Sequence, residues 1–257
     1  MKLNIPSDGT KIGHDGERLV VPDNPIIPYI IGDGIGIDVT PVMKRVLDYA
    51  VNKAYGNTRE IKWLELYAGS NSKELYGSIL PEETIEAMKE YRISIKGPLT
   101  TPIGKGHKSI NVQIRQKLDL FACVRPIKYF PGTSTPMAES GLTDMVVFRE
   151  NTEDLYSGIE WEPNSPGAKR IIDFINKELG HSPFRFEDNC GIGIKPVSEE
   201  GTKRLIRMAI DYSLALNKSS ITIVHKGNIM KYTEGAFRDW AYDVVTKEYS
   251  GIIQKDN

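Results

Sequence analysis

Short β-branched runs alternate with longer amphipathic ones along this chain, the pattern of an α/β protein. The period-2 and buried runs predict strands at 26–31, 61–67, 93–96, 145–149, 191–195 and 221–225. A helix is predicted after Thr40, with Thr40 as N-cap and Pro41 in the first helical position. Its apolar residues Met43, Val46, Leu47, Ala50, Val51 and Ala54 form one stripe. A second helix follows Ser198, with Glu199 and Glu200 set against its positive end. A third follows Thr233 and buries Phe237, Trp240, Ala241, Val244 and Val245. Residues 131–141 and 163–167 read as loops, and no internal repeat or low-complexity tract interrupts the pattern.

Composition narrows the class. At 257 residues the chain can hold one large domain or two modest ones. A net charge of −1 excludes a general nucleic-acid surface, so any anion site must be a local cluster of cations. No apolar run reaches membrane-spanning length and the N-terminus lacks a signal-peptide pattern, so the expected location is cytoplasmic. Cys123 and Cys190 lie in apolar runs and are expected as buried, reduced thiols. The histidines His14, His107, His181 and His225 show no metal-ligand spacing and read as structural.

The candidate chemistry is concentrated in 96–126, KGPLTTPIGKGHKSINVQIRQKLDLFACVRP. A Lys-Gly-Pro turn leads through Thr100 and Thr101 into a Gly-rich loop. Ser109, Asn111 and Arg115 then follow at helical spacing, where residues four apart share a face. Arginine suits bidentate carboxylate binding, so this segment reads as a polyanion-binding helix. Each of Lys96, Arg115, Arg125, Arg149 and Lys226 alone reads as an ordinary surface cation; it is their grouping in motifs that points to a site. Gly32, Gly34 and Gly36 lie between a strand and a helix, but their spacing does not fit the dinucleotide fingerprint, and a tight turn accounts for them better.

GDGIGIDVTP (32–41), KGPLTTP, SINVQIRQ, FRENTEDLYSGIEW (148–161), CGIGIKPVSEEGTKR (190–204) and VHKGNIMKYTEGAF (224–237) occur in this order. Together they closely resemble the β-decarboxylating dehydrogenases, and within them the bacterial NADP-dependent isocitrate dehydrogenases. The resemblance implies an α/β, three-layer fold of the isocitrate/isopropylmalate dehydrogenase type, distinct from the Rossmann fold and incomplete at the C-terminus. It implies the N-terminal part of a large domain at 1–120, a small domain at 121–153 and 199–257, and a clasp at 154–198 through which a homodimer would form.

The same resemblance implies NADP-dependent oxidative decarboxylation of isocitrate, in the tricarboxylic acid cycle at its branch with the glyoxylate bypass. Arg115, Arg125 and Arg149 would grip the carboxylates, with Ser109 and Asn111 adding hydrogen bonds. Thr100, Thr101 and Asn228 would lie at the nicotinamide end of the cofactor. Lys226, expected to be partly desolvated and offered across the subunit interface, would carry the proton of the alcohol, and Tyr156 would protonate the enolate. The Mg²⁺ or Mn²⁺ ligands are expected beyond the end of this chain, with none inside it, so the 257-residue chain alone is expected to be inactive. The adjacent acids Glu153 and Asp154 read as a clasp hinge rather than a metal pair. Ser109 matches a serine phosphorylated in some bacterial members, which would bring in a regulatory kinase and phosphatase. The rival readings are an isopropylmalate or homoisocitrate dehydrogenase, or a non-catalytic module that binds an anion and dimerises. The polar Ser109 and Asn111 suit a third carboxylate better than an isopropyl group.

Overall fold

The computed structural model describes residues 3–101, 109–181 and 184–254, and it divides into two compact units, 1–119 and 120–257. The first unit opens with the short hairpin β1 (Gly13–His14) and β2 (Leu19–Val20). Then come β3 (Ile26–Ile30), α1 (Gly36–Tyr55), β4 (Lys62–Leu66), α2 (Ser70–Tyr76), α3 (Glu82–Tyr91), β5 (Ile95–Lys96) and α4 (Ile110–Lys117). β3 is buried along its whole length because it is the middle strand of a parallel sheet in the order β4-β3-β5. Ile26, Ile30, Leu64, Leu66, Ile85, Met88, Tyr91, Ile110 and Ile114 form one core, which anchors α3 and α4 to that sheet.

α1 begins at Gly36, five residues before the predicted first helical position Pro41, and Thr40 is not its cap. The Thr40 hydroxyl instead donates to the Ile31 carbonyl at 2.7 Å, which joins the helix to the end of β3. Pro41 is the sixth residue of the helix and supplies no amide to the Ile37 carbonyl, so the ladder lacks one bond there. Of the predicted stripe, Met43, Leu47 and Val51 are half-buried, while Val46 stays 60% exposed.

The second unit contains β6 (Ala122–Lys128), β7 (Asp144–Glu150), β8 (Ile159–Trp161), α5 (Pro166–Lys177), β9 (Ile192–Ile194), α6 (Glu199–Ala215) and α7 (Glu234–Glu248). β6 and β7 form an antiparallel ribbon that pairs Cys123 with Arg149 and Arg125 with Val147. Ile206 and Ile210 of α6 pack on Ala241 and Val244 of α7. α6 starts after Ser198 as predicted, and the Ser198 hydroxyl caps it, accepting from the Gly201 N–H at 3.0 Å. Residues 221–225, predicted as a strand, form none. With β7, residues 221–224 line a cavity of about 460 Å³ that is also lined by Ile206, Ala209, Tyr212 and Phe237. The loop predicted at 163–167 gives way at Ser165, which caps α5 through the Ala168 N–H at 3.2 Å, with Pro166 at the first helical position.

The excursion through β8, α5 and β9 is closed at its neck. The Asp154 N–H donates to the Pro196 carbonyl at 2.9 Å, and Glu153 accepts from the Ser198 N–H at 2.8 Å. Both residues therefore join the two ends of the excursion, Asp154 through its main chain and Glu153 through its carboxylate. Cys123 and Cys190 are free thiols, but both are half-exposed rather than buried: Cys123 lies in a two-stranded ribbon with an open face, and Cys190 in the loop before β9.

Candidate active site

In the first unit, the carboxyl ends of the parallel strands point the same way, and the segments that follow them converge there. Asp33 ties them together. Its carboxylate accepts from the Ser70 N–H at 2.8 Å and from the Thr100 N–H at 2.9 Å, while its own N–H donates to the Pro98 carbonyl at 2.6 Å. Two glycines allow the approach. A Cβ on Gly97 would stand 1.9 Å from the Ile31 carbonyl oxygen, and one on Gly69, at φ +87°, would meet the Asp33 carboxylate at 2.5 Å.

Thr100 and Thr101 emerge exposed from this junction. The Thr101 hydroxyl donates to Ser109 Oγ at 3.2 Å, so the loop and the start of α4 share a hydroxyl pair. Ile110 and Ile114 point into the core, and this orientation places Asn111 and Arg115 on the flanks of α4. Asn111 Oδ1 is buried without a hydrogen-bond partner, which is unspent polar capacity. Lys96 donates to the Gly97 carbonyl at 2.7 Å. Much of its side chain reaches solvent, yet burial around the ammonium pushes its pKa down; Arg115 pushes the same way and Asp33 pulls back. Two cations that repel one another create a local demand for an anion. His107 lies outside the described residues.

In the second unit the ribbon register puts Arg125 and Arg149 on one face, with Cys123 directly across from Arg149. Arg125 is exposed and its Nε donates to Cys123 Sγ at 3.1 Å. Arg149 is half-buried; its Nη2 donates to the Tyr156 hydroxyl and its guanidinium carbon stands 4.5 Å from the centre of that ring. Tyr156 belongs to the 3-10 turn Asp154–Ser157, at the neck of the excursion.

Lys226 and Asn228 lie in an exposed turn before α7. The Lys226 main chain is held from both sides: its N–H donates to Glu234 at 3.1 Å, and its carbonyl accepts from Ile229 at 3.2 Å and Met230 at 3.1 Å. The desolvation expected of Lys226 is not supplied by this chain, since the turn projects its side chain into solvent. His225 is structural, accepting from the Gly227 N–H at 3.0 Å, as is His14, which accepts from Gly16 at the same distance. Among the described residues no group of three His, Cys, Asp or Glu side chains could hold a metal ion. No helix among them is long and apolar enough to cross a membrane.

Sequence reading missed Asp33, Lys195 and Glu234. Asp33 carried a signal, an acid in the turn just after a strand. Lys195 and Glu234 meet only through the fold, 39 residues apart in the chain.

The isocitrate dehydrogenase (NADP) 1 of Colwellia maris is 56% identical over 254 residues, which cover 98% of this chain and 61% of that protein. The isocitrate dehydrogenase (NADP) of Pseudomonas aeruginosa strain UCBPP-PA14 is 53% identical, with the same coverage of 98% and 61%. Among solved structures, the isocitrate dehydrogenase of Methylococcus capsulatus superposes with a TM-score of 0.69 at 33% identity, over 87% of this chain and 57% of that one. The chain thus spans about three-fifths of the length of the relatives it matches. The model of the isocitrate/isopropylmalate dehydrogenase family matches residues 26–257, and the chain belongs to that family.

Proposed function

We propose that the whole protein catalyses NADP-dependent oxidative decarboxylation of isocitrate to 2-oxoglutarate and carbon dioxide. The observation that carries the reading is the Arg149–Tyr156 pair, a cation and a phenol locked together on the ribbon face that also bears Arg125. The names of the relatives, at 53–56% identity, support the same substrate and cofactor.

In this reading Arg115, Arg125 and Arg149 bind the three carboxylates, a bidentate task for which guanidinium is shaped. Ser109 and Asn111 add hydrogen bonds, and their polarity favours isocitrate over isopropylmalate. Thr100, Thr101 and Asn228 contact the nicotinamide end of NADP, whose fit rests on the exposed hydroxyls and amide at these positions. Bound NADP supplies the hydride acceptor. Lys226 takes the proton of the substrate hydroxyl as the carbinol hydrogen leaves as hydride. The β-keto acid then loses carbon dioxide, the electrons of the broken C–C bond pass into an enolate, and Tyr156 delivers a proton to carbon. Arg149 holds the phenol in place for that delivery. The family implies Mg²⁺ or Mn²⁺, which would polarise the hydroxyl and keto oxygen when bound; among the described residues no group of three His, Cys, Asp or Glu side chains could hold it.

We further read residues 154–198 as the homodimer clasp. Support comes from its two-stranded ribbon, which leaves strand edges unpaired, and from the exposed Phe174 and Phe186. Ser109 is read as a phosphorylation site, since phosphate there would repel carboxylates held by α4. Turnover of isocitrate with NADP by the full-length protein tests the central reading, and failure to release carbon dioxide from isocitrate would sink it.

A further inference from the structure

One ammonium joins the turn that carries Tyr156 to the turn that carries Lys226. Lys195 follows β9 and is four-fifths buried. Its Nζ lies 3.2 Å from Asp154 Oδ2 and 2.5 Å from Glu234 Oε1. Asp154 opens the 3-10 turn of Tyr156 from a left-handed conformation, φ +58°, that few non-glycine residues adopt. The turn is set by that residue: its carboxylate also accepts from the Leu155 N–H at 2.6 Å, and its carbonyl accepts from the Ser157 hydroxyl at 2.8 Å. Glu234, at the start of α7, gives its other oxygen to the Lys226 N–H at 3.1 Å. Without Lys195, Asp154 and Glu234 would be left as two carboxylates facing the same partly buried space, an arrangement that like-charge repulsion would open.

We propose that Lys195 is a positioning residue that fixes the Tyr156 turn and the Lys226 turn relative to each other through Asp154 and Glu234. This rests on the proton-transfer roles given above to Tyr156 and Lys226. The contacts that hold Lys226 are all to its main chain, which leaves its side chain free to serve a ligand while its origin is fixed. Displacing a proton-transfer group by about 1 Å can cost about a hundredfold in rate, so such a tether matters out of proportion to its size.

The test uses Lys195→Met, Lys195→Arg and Glu234→Gln. Amide hydrogen exchange on the chain itself reads the geometry, and steady-state kinetics on the full-length protein reads the chemistry. Lys195→Met is expected to speed exchange at the Lys226 amide by about tenfold or more, and exchange in the α6–α7 core by less than about twofold. In the full-length protein it is expected to lower kcat with isocitrate by about thirtyfold and to change KM by less than about threefold. Lys195→Arg, which keeps the charge and two donors, is expected to restore most of both. Glu234→Gln is expected to loosen the Lys226 turn alone and leave exchange in the Tyr156 turn near wild type. Unchanged exchange at Lys226 in Lys195→Met, or equal loss in Met and Arg variants with a general loss of protection, would overturn the proposal. If the wild-type protein does not turn over isocitrate, the functional reading fails, and the exchange data still decide whether Lys195 couples the turns.

Discussion

Arg149 holds Tyr156 in two ways at once: its Nη2 donates to the phenol oxygen, and its guanidinium lies over the ring at 4.5 Å. The residues are seven apart, at the end of β7 and in the 3-10 turn beyond it, so the pair also braces the strand against the neck of the excursion. A phenol held this way cannot rotate freely, which is the requirement for a group that must deliver a proton to one carbon.

Replacing Tyr156 by Phe keeps the ring under the guanidinium and removes the proton. In the full-length protein kcat for isocitrate should fall by about 10²–10⁴-fold, the range for loss of a general acid, with KM little changed. Arg149→Gln should instead raise KM, since in the proposed reading it removes a carboxylate ligand. Supplying oxalosuccinate and following carbon dioxide release and NADPH loss separately checks the assignment: Tyr156→Phe should retain reduction of the β-keto acid better than it completes the decarboxylation. Equal impairment of both halves would reduce Tyr156 to a structural role.

Ser109→Asp should nearly abolish isocitrate binding. A carboxylate about 4 Å from another costs about 4 kcal/mol at an effective dielectric of about 20, or about a thousandfold in affinity. Ser109→Ala should cost only about 0.5–1.5 kcal/mol, one hydrogen bond. Isothermal titration with isocitrate compares the two, and equal losses would rule out charge repulsion.

Asp33→Ala removes both the Ser70 and Thr100 amide contacts. Bonds to an ionised carboxylate are worth about 1.5–3 kcal/mol each when fully shielded; Asp33 is only half-buried, so its two bonds together should show in urea unfolding of the chain as a loss of about 1.5–3 kcal/mol. Asp33→Asn, which keeps one acceptor, should recover part of it. If the Ala variant were as stable as wild type, the loop junction would not depend on this residue.

The Lys195 cluster predicts a pH window. The hydrogen bond from Lys195 holds Glu234 below the ordinary glutamate value of 4.5, against the opposing effect of burial and with help from the Lys226 amide. Burial acts against the Lys195 charge, but its bonds to Glu234 and Asp154 outweigh it and raise the pKa above the ordinary 10.5. A depressed carboxyl stabilises the fold fully above 4.5, and that contribution is lost as pH falls through its folded value. A raised ammonium stabilises fully below 10.5, and its share is lost as pH rises through its folded value. The difference in Tm between wild type and Lys195→Met should therefore be widest near neutral pH and shrink below about pH 4. A difference that stays constant through the acid range would show that the ion pairs contribute nothing.

The sequence made β3, β4, β7, α6 and α7 legible because each is governed by local pattern or capping: a continuous apolar run for β3, Ser198 before two glutamates for α6. The start of α1 was misread because Thr40 is a good cap in isolation, yet the Ile31 carbonyl captures its hydroxyl and Gly36 lets the helix begin earlier. Residues 221–225 have strand composition, but a strand also needs a partner, which composition does not encode. Among site residues, Ser109, Asn111 and Arg115 could be read from helical spacing. The motif resemblance points to Arg125, Arg149 and Tyr156, and only the fold reveals that the last two touch. The clamp at Asp33 and the bridge at Lys195 depend on contacts between distant segments, so no local spacing announces them.

The central claim is isocitrate specificity within a family that also contains isopropylmalate dehydrogenases. It is tested most directly by kcat/KM of the full-length protein for isocitrate and for isopropylmalate, measured side by side with NADP. Isocitrate should be preferred by a wide margin, because Ser109, Asn111 and Arg115 present polar and cationic groups where an isopropyl group would need apolar ones. A higher kcat/KM for isopropylmalate would contradict the account.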